Sequence, residues 1–501
     1  MITLFLIFNV AFSSAHLINQ RFKWSLDGTH SSLPAYRDLG SNEQSEFEQK
    51  LDHFDPNNKV TWKQRYWSDN SDDKKINERA ILFVHGPNTL SNIDYIDTEL
   101  LIPLARNLKA TRFYLEHRFY GESRPKIDTS PENLVYLSSK QALEDIAYFI
   151  KNISDKHKLH KDIKWVVIGV SYGGTLATWA RFKYPDLILS ATAINAPLLA
   201  QADYGEYYEN VVESLTKCNP KCTERITQAN RELETAIKNE AGRKDVATMF
   251  NLCDALSEDP DDISSLFAEL AENFARAVDF SGMKNISPKP ACSLSDLCAI
   301  MSNVDTPPLT AYAEVNKKVT GILGLKCLEH RYKNRIEILK DTNFTNETKI
   351  SRQWIYQTCT EFGYLKSSSK STGIFGDHFP ATFLAKRCQD LFKPEFNLPF
   401  IGEKASKVNT EFKGLEINVN NTMFIYNSED PWRSLFIKDS KKGFYETHKI
   451  DPPACVAVNR LNAVSESGGL GGFFSEILGY VEKTMGCVLN EGNDCFEKSP
   501  K

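Results

Sequence analysis

The chain has 501 residues, roughly two to four times a typical domain, so one large enzyme-sized domain with insertions or two domains is expected. Its 60 Lys and Arg against 65 Asp and Glu leave a net charge of −5, which removes the basic footprint of a nucleic-acid-binding protein. With 41% hydrophobic residues and 25 glycines the composition is that of a globular chain and excludes disordered, collagenous and polytopic membrane proteins.

The apolar run Ile2 to Phe12, followed by small residues at Ser13 and Ala15, reads as a signal peptide, residues 1–15, cleaved after Ala15. No other stretch approaches the roughly 18 uncharged apolar residues of a membrane span, so no span is expected in the mature chain. Sequons at Asn152, Asn285, Asn343, Asn346 and Asn420 agree with passage through the secretory pathway and are glycosylation candidates. In that compartment the 11 cysteines, the first of them Cys218, read as disulfides, and the odd total leaves at least one thiol unpaired or intermolecular. The spacings Cys218 to Cys222, Cys292 to Cys298 and Cys487 to Cys495 lack the CxxC or histidine pattern of a zinc site. Neither a metal nor a cofactor is therefore expected.

A polar, aromatic-rich entry from Glu48 to Trp67 leads to Arg79 to Val84, a continuous apolar strand of the kind buried between helix layers. A second strand is predicted over Thr111 to Glu116, an amphipathic helix over Gln141 to Ile150, and a third strand over Trp165 to Ile168. A helix over Thr175 to Phe182 and a strand over Ala191 to Ile194 follow. Strands alternating with helices imply an α/β fold with a parallel sheet. After about Gly205 helical faces take over, among them Ile226, Ala229 and Leu233, then Leu266, Leu270 and Phe274, and this block runs to about Leu391. Strand signal returns at Thr422 to Tyr426 and at Gly443 to Ile450, and a helix over Phe473 to Met485 closes the pattern. The expected organisation is one α/β domain in two pieces, 45–205 and 396–490, interrupted by a helical insertion, 206–395, that holds most of the cysteines.

Gly169-Val170-Ser171-Tyr172-Gly173, between a strand and a helix, has the form of a nucleophile elbow, in which a strained turn presents the serine hydroxyl above the sheet. The acid of such a site belongs in a loop after a later strand, where Asn427-Ser428-Glu429-Asp430-Pro431-Trp432 follows. Asp430 is the candidate acid and Glu429 its nearest rival. Backbone N–H groups of Tyr172 and Gly86 are the candidate oxyanion donors. Of the ten histidines only His448 follows Asp430. It lies inside a predicted strand, six residues before Ala454, and six extended residues span roughly 20 Å. His85, in the turn after the first strand, is the other candidate base.

On these residues the chain resembles the serine peptidase family of lysosomal Pro-X carboxypeptidase, dipeptidyl peptidase II and thymus-specific serine protease. The resemblance runs from about Phe47 to Gly486 and is strongest at Gln49 to Phe54, Gln64 to Tyr66, Glu116 to Pro125, Tyr136 to Leu143, Ser171 to Gly174 with Arg181 and Tyr184-Pro185, and Trp354 to Tyr364. It implies an α/β-hydrolase with a helical cap, secreted or lysosomal, that acts as an exopeptidase on proline-containing peptides. A homodimer is kept open as its assembly.

The chain departs from that family in four places. The family's base precedes a cysteine about twenty-five residues beyond the acid; Cys455 is in register with that cysteine, and the neighbouring position is Ala454. After the first strand, where the family has Gly-Gly-Glu-Gly, this chain has His85-Gly86-Pro87-Asn88, and Pro87 offers neither an N–H nor a carboxylate. Val170 replaces a glycine before the nucleophile, and the acid loop is one residue shorter. Two readings follow: a serine exopeptidase with impaired activity, or a catalytically silent relative that binds peptides as a binding or decoy protein.

Overall fold

The structure is a computed structural model that describes residues 42–69, 79–87, 101–157, 159–160, 162–280, 293–344, 351–371 and 373–451. The signal peptide, Ala454, Cys455 and the closing helix expected at Phe473 to Met485 lie outside the described residues.

An eight-stranded sheet organises the chain. Its strands are β1 (Asn42–Lys50), β2 (Thr61–Asp69), β3 (Arg79–Val84), β4 (Thr111–Leu115), β5 (Lys164–Val170), β6 (Ile188–Ile194), β9 (Thr422–Asn427) and β10 (Tyr445–Ile450). A separate two-stranded sheet pairs β7 (Gln201–Asp203) with β8 (Gly363–Leu365). The large sheet has the order β1-β2-β4-β3-β5-β6-β9-β10, antiparallel from β1 through β2 to β4 and parallel from β4 to β10. This crossover pattern, a parallel sheet with an antiparallel edge and a serine elbow after β5, is the α/β-hydrolase fold.

The apolar runs explain the burial on both faces, because side chains alternate along a strand. In β3, Ala80, Leu82 and Val84 join one core while Ile81 and Phe83 join the other. In β5, Trp165 and Val167 point to the first and Val166 and Ile168 to the second. The second face is covered among the described residues by α1 (Ile102–Leu108), through Leu104, Ala105 and Leu108. The first face carries α2 (Ser139–Lys156) and α3 (Tyr172–Lys183). Helix α2 begins where the Ser138 side chain accepts the Gln141 N–H as its cap.

The stretch Glu48 to Trp67, read from sequence as a polar, aromatic-rich entry, spans the end of β1, its turn and most of β2. Its inward positions include Gln49 and Gln64, both fully buried. Gln49 donates to Gln64 Oε1 (2.9 Å), and Gln64 donates to the Glu116 carbonyl (2.7 Å). A buried amide is tolerable when each polar atom finds a partner, and two amides across a strand pair do not register as hydrophobic alternation.

Between β7 and β9 the chain forms helices, among them α4 (Glu206–Cys218), α5 (Pro220–Ala236), α6 (Pro260–Phe280), α7 (Leu294–Ser302), α8 (Tyr332–Leu339), α9 (Ser351–Gln357), α10 (Ala381–Leu391) and α11 (Leu398–Phe412). Disulfides Cys222–Cys298, Cys253–Cys327 and Cys359–Cys388 tie this region together. Cys218 is also disulfide-bonded. No described helix is long and apolar enough to cross a membrane.

Candidate functional site

Ser171 is held at φ 54° and ψ −129°, between the last residue of β5 and the first of α3. A non-glycine residue at positive φ is strained and persists only where its surroundings fix it. Here the Ser171 N–H donates to the Ile194 carbonyl (2.8 Å), binding the turn to the neighbouring strand. A Cβ on Gly169 would come 2.1 Å from the Gly173 carbonyl oxygen, and one on Gly173 would come 2.4 Å from that of Val84. Both positions require glycine because backbone packs on backbone. The turn after β3 meets the elbow directly, since a Cβ on Gly86 would stand 3.2 Å from the Gly173 nitrogen. Gly86 and the first-turn donor Tyr172 therefore sit side by side, as two N–H groups aimed at one oxyanion would have to.

Strand β9 ends at Asn427, and the Glu429-Asp430 pair follows. Glu429 turns toward α4, accepting from Ser214 Oγ (2.5 Å) and Lys217 Nζ (3.1 Å). Asp430 stays in the loop, where its Oδ1 accepts the Trp432 N–H (2.8 Å). Burial pushes its carboxyl up to about 6, against the opposing pull of that N–H and of the Arg433 and Lys366 charges. Tyr204 and Asn210 clamp the loop by donating to the Pro431 carbonyl (3.0 and 2.9 Å). Asn195, at the tip of β6 with φ 47°, joins the two halves: its N–H donates to the Ile425 carbonyl (2.7 Å) and its Oδ1 accepts from Asn427 (2.9 Å). Two strand spacings, about 10 Å, separate the ends of β5 and β9, a gap that an imidazole reaching in from a loop would bridge.

The described histidines do not fill that gap. Val170, Ile194, Ile425 and His448 lie in one row across β5, β6, β9 and β10, so His448 is three strand spacings, about 14 Å, from the elbow. It sits within β10, two residues before its end. His85 is buried, and its ring packs edge-on to Phe83 (4.9 Å). Burial, helped by the Arg65 charge, lowers its pKa to about 3, so it is a feeble base. His117 is likewise lowered to about 4 by burial and is engaged with the Arg118 carbonyl (2.8 Å) and the Tyr172 hydroxyl (3.3 Å). Among the described residues no histidine ring hydrogen-bonds Ser171 or Asp430.

A buried polar network, unread in the sequence, underlies the elbow. Gln357 Nε2 donates to the Tyr172 hydroxyl (3.0 Å) and to Glu361 Oε2 (3.0 Å), while its Oε1 accepts from Tyr120 (2.6 Å). Glu361 also accepts from the Ser139 N–H (2.8 Å) and hydroxyl (2.6 Å), and burial raises its carboxyl above the usual range. Rings of Trp354 and Phe362 lie 5.6 and 5.4 Å from that of Tyr172. These residues belong to Trp354 to Tyr364, a segment that sequence marked by resemblance alone. Of the sequons, Asn152 and Asn343 are exposed. Asn420 is half-buried, with its Oδ1 accepting from Arg181 (2.6 Å), and Asn285 and Asn346 lie outside the described residues.

Residues 49–453 match the family described as serine carboxypeptidase S28. The chain is 33% identical over 402 residues to the K12H4.7 protein of Caenorhabditis elegans, covering 78% of each. It is 27% identical over 406 residues to thymus-specific serine protease of Mus musculus, covering 79% of this chain and 78% of that one. To lysosomal Pro-X carboxypeptidase of Homo sapiens it is 28% identical over 399 residues, covering 77% of each.

Proposed function

The chain belongs to the serine carboxypeptidase S28 family, and on that premise we propose that it is a serine-type exopeptidase for proline-containing peptides whose turnover is impaired. Its peptide bond cleavage begins with attack of Ser171 Oγ on the carbonyl, with the Gly86 and Tyr172 N–H groups receiving the oxyanion and Asp430 placed to orient a base that is not identified. The observation that carries the reading is Ser171 itself, a serine at φ 54° on a strand-to-helix turn, backed by the Gly86 turn. The impairment rests on Ala454, where the family's pattern has its histidine, together with the position of His448 in β10. A serine without a base is a weak nucleophile, and what remains is catalysis by binding and the oxyanion hole. The same two observations support the second reading, a silent relative that keeps the cleft and binds peptides. The signal peptide, the disulfides and the relatives favour a secreted or lysosomal location, and the helices between β7 and β9 are read as a cap inserted into the hydrolase domain.

Exposure of the purified protein to a fluorophosphonate tests the assignment. Slow labelling that disappears in Ser171→Ala is expected. Labelling that survives the substitution would remove Ser171 from the site, and labelling as fast as that of an active serine peptidase would overturn the impairment.

A further inference from the structure

A cavity of about 80 Å³ lies between α6, α8 and α10, closed by Tyr364 to Lys366, Trp354 and Trp432. Since a water needs about 10–15 Å³ of such volume, there is room for a group of a few heavy atoms. It adjoins the candidate site: Trp432 follows Asp430 by two residues, and the Trp354 ring lies 5.6 Å from that of Tyr172, the residue after Ser171.

The walls carry more cations than anions. Arg335 holds Glu269 (2.5 Å), whose second oxygen lies 3.7 Å from Arg276. Glu272 accepts from Tyr208 (3.3 Å), and its other oxygen is 3.8 Å from Lys366 Nζ, beyond hydrogen-bond reach. Three cations, Arg335, Lys366 and Arg387, thus line the cavity with two carboxylates, Glu269 and Glu272. Lys366 Nζ and Arg387 Nε are shut off from solvent with no hydrogen-bond partner among the described residues. The Lys366 side chain is nine-tenths buried, with Nζ against the faces of Tyr207 (3.9 Å) and Trp432 (5.2 Å). Burial and the neighbouring Arg335 charge bring Arg387 down to about 10. A buried cation without a hydrogen-bonding anion is strongly unfavourable, and two on the wall of one cavity favour an anionic occupant.

We propose that this cavity is an anion pocket that seats a carboxylate of the bound peptide between Lys366 and Arg387. The proposal rests on reading Ser171 as the centre of the site, and it places the carboxylate-bearing end of the peptide on the Trp432 side of that centre. The carboxylate is that of the chain end or of an acidic side chain, and the two are separable.

The test is calorimetric titration of full-length Ser171→Ala protein, which cannot turn its ligand over, with Ala-Pro-Phe as the free acid, Ala-Pro-Phe amide and Ala-Pro-Glu amide. The free acid should bind at least tenfold more tightly than its amide. Lys366→Met should erase the difference, Lys366→Arg should keep it, and Arg387→Met gives a second, independent loss. If Ala-Pro-Glu amide alone binds, the pocket stands and its ligand is a side-chain carboxylate. Equal affinity for charged and neutral peptides, no binding by any of the three, or a preference that survives both Met variants would overturn the pocket. Fluorophosphonate labelling at Ser171 reads the nucleophile separately, so the two assignments fail independently.

Discussion

At the scale of single residues the site shows how context divides the work between adjacent acids. Glu429 and Asp430 stand side by side in sequence, and α4 engages Glu429 through Ser214 and Lys217. Asp430 is left half-buried, its carboxyl pushed up to about 6 from 3.8 by desolvation. Its folded-state pKa exceeds its unfolded one, so between about pH 4 and 6 the folded chain holds the proton more tightly. Its contribution to stability is present below that window and is lost as pH rises through it; above pH 6 the fold carries an ionised carboxylate at a net penalty. Asp430→Asn should therefore stabilise the protein by about 1–3 kcal/mol at pH 7.5 and leave it unchanged at pH 4. Denaturant melts at the two pH values check this, and equal stabilities at pH 7.5 would contradict it. The Ser171 elbow was legible because its glycines and flanking elements are local. Asp430 was read from sequence as the candidate acid with Glu429 as its rival, but the partners that hold Glu429, and the part of Asn195 in joining β6 to β9, were not legible, because they are distant in sequence.

At the scale of elements, apolar runs made the parallel strands readable, and their alternating residues fill both cores. The β1/β2 hairpin escaped because its inward side chains include a paired Gln49 and Gln64. Several motifs behind the family resemblance prove to be scaffolding. Glu116 binds Arg65 (2.6 Å) and Ser123 (2.8 Å), Arg118 grips Asp145 with both its Nε and Nη2 (2.6 Å each), and Arg181 ties α3 to the carbonyl of Asn420 (3.0 Å). The end of α9 joins the helical region to the elbow through Gln357. Replacing Gln357 by leucine strands the buried Tyr120 hydroxyl and takes a donor from both the Tyr172 hydroxyl and Glu361 Oε2, which keeps only the Ser139 N–H. The expected loss is about 2–4 kcal/mol, read as a lower denaturation midpoint with an unchanged slope. A loss below 0.5 kcal/mol, on the order of an ordinary surface substitution, would show that the network does not bear on stability.

At the scale of the molecule, the fold brings together the Ser171 elbow, the Gly86 turn, the half-buried Asp430 loop and a charged cavity, but among the described residues it places no imidazole between Ser171 and Asp430. The sheet keeps the geometry into which a histidine would fit: strand ends about 10 Å apart, a strained serine and an acid clamped through Pro431. The account is that the machinery persists and its base has been lost at Ala454. Measuring kcat/KM on a proline-containing reporter peptide for the parent and for Ala454→His tests this most directly. A gain on the order of 10²- to 10⁴-fold, the usual yield of a positioned general base, is predicted. An unchanged rate in a variant as stable as the parent would contradict it.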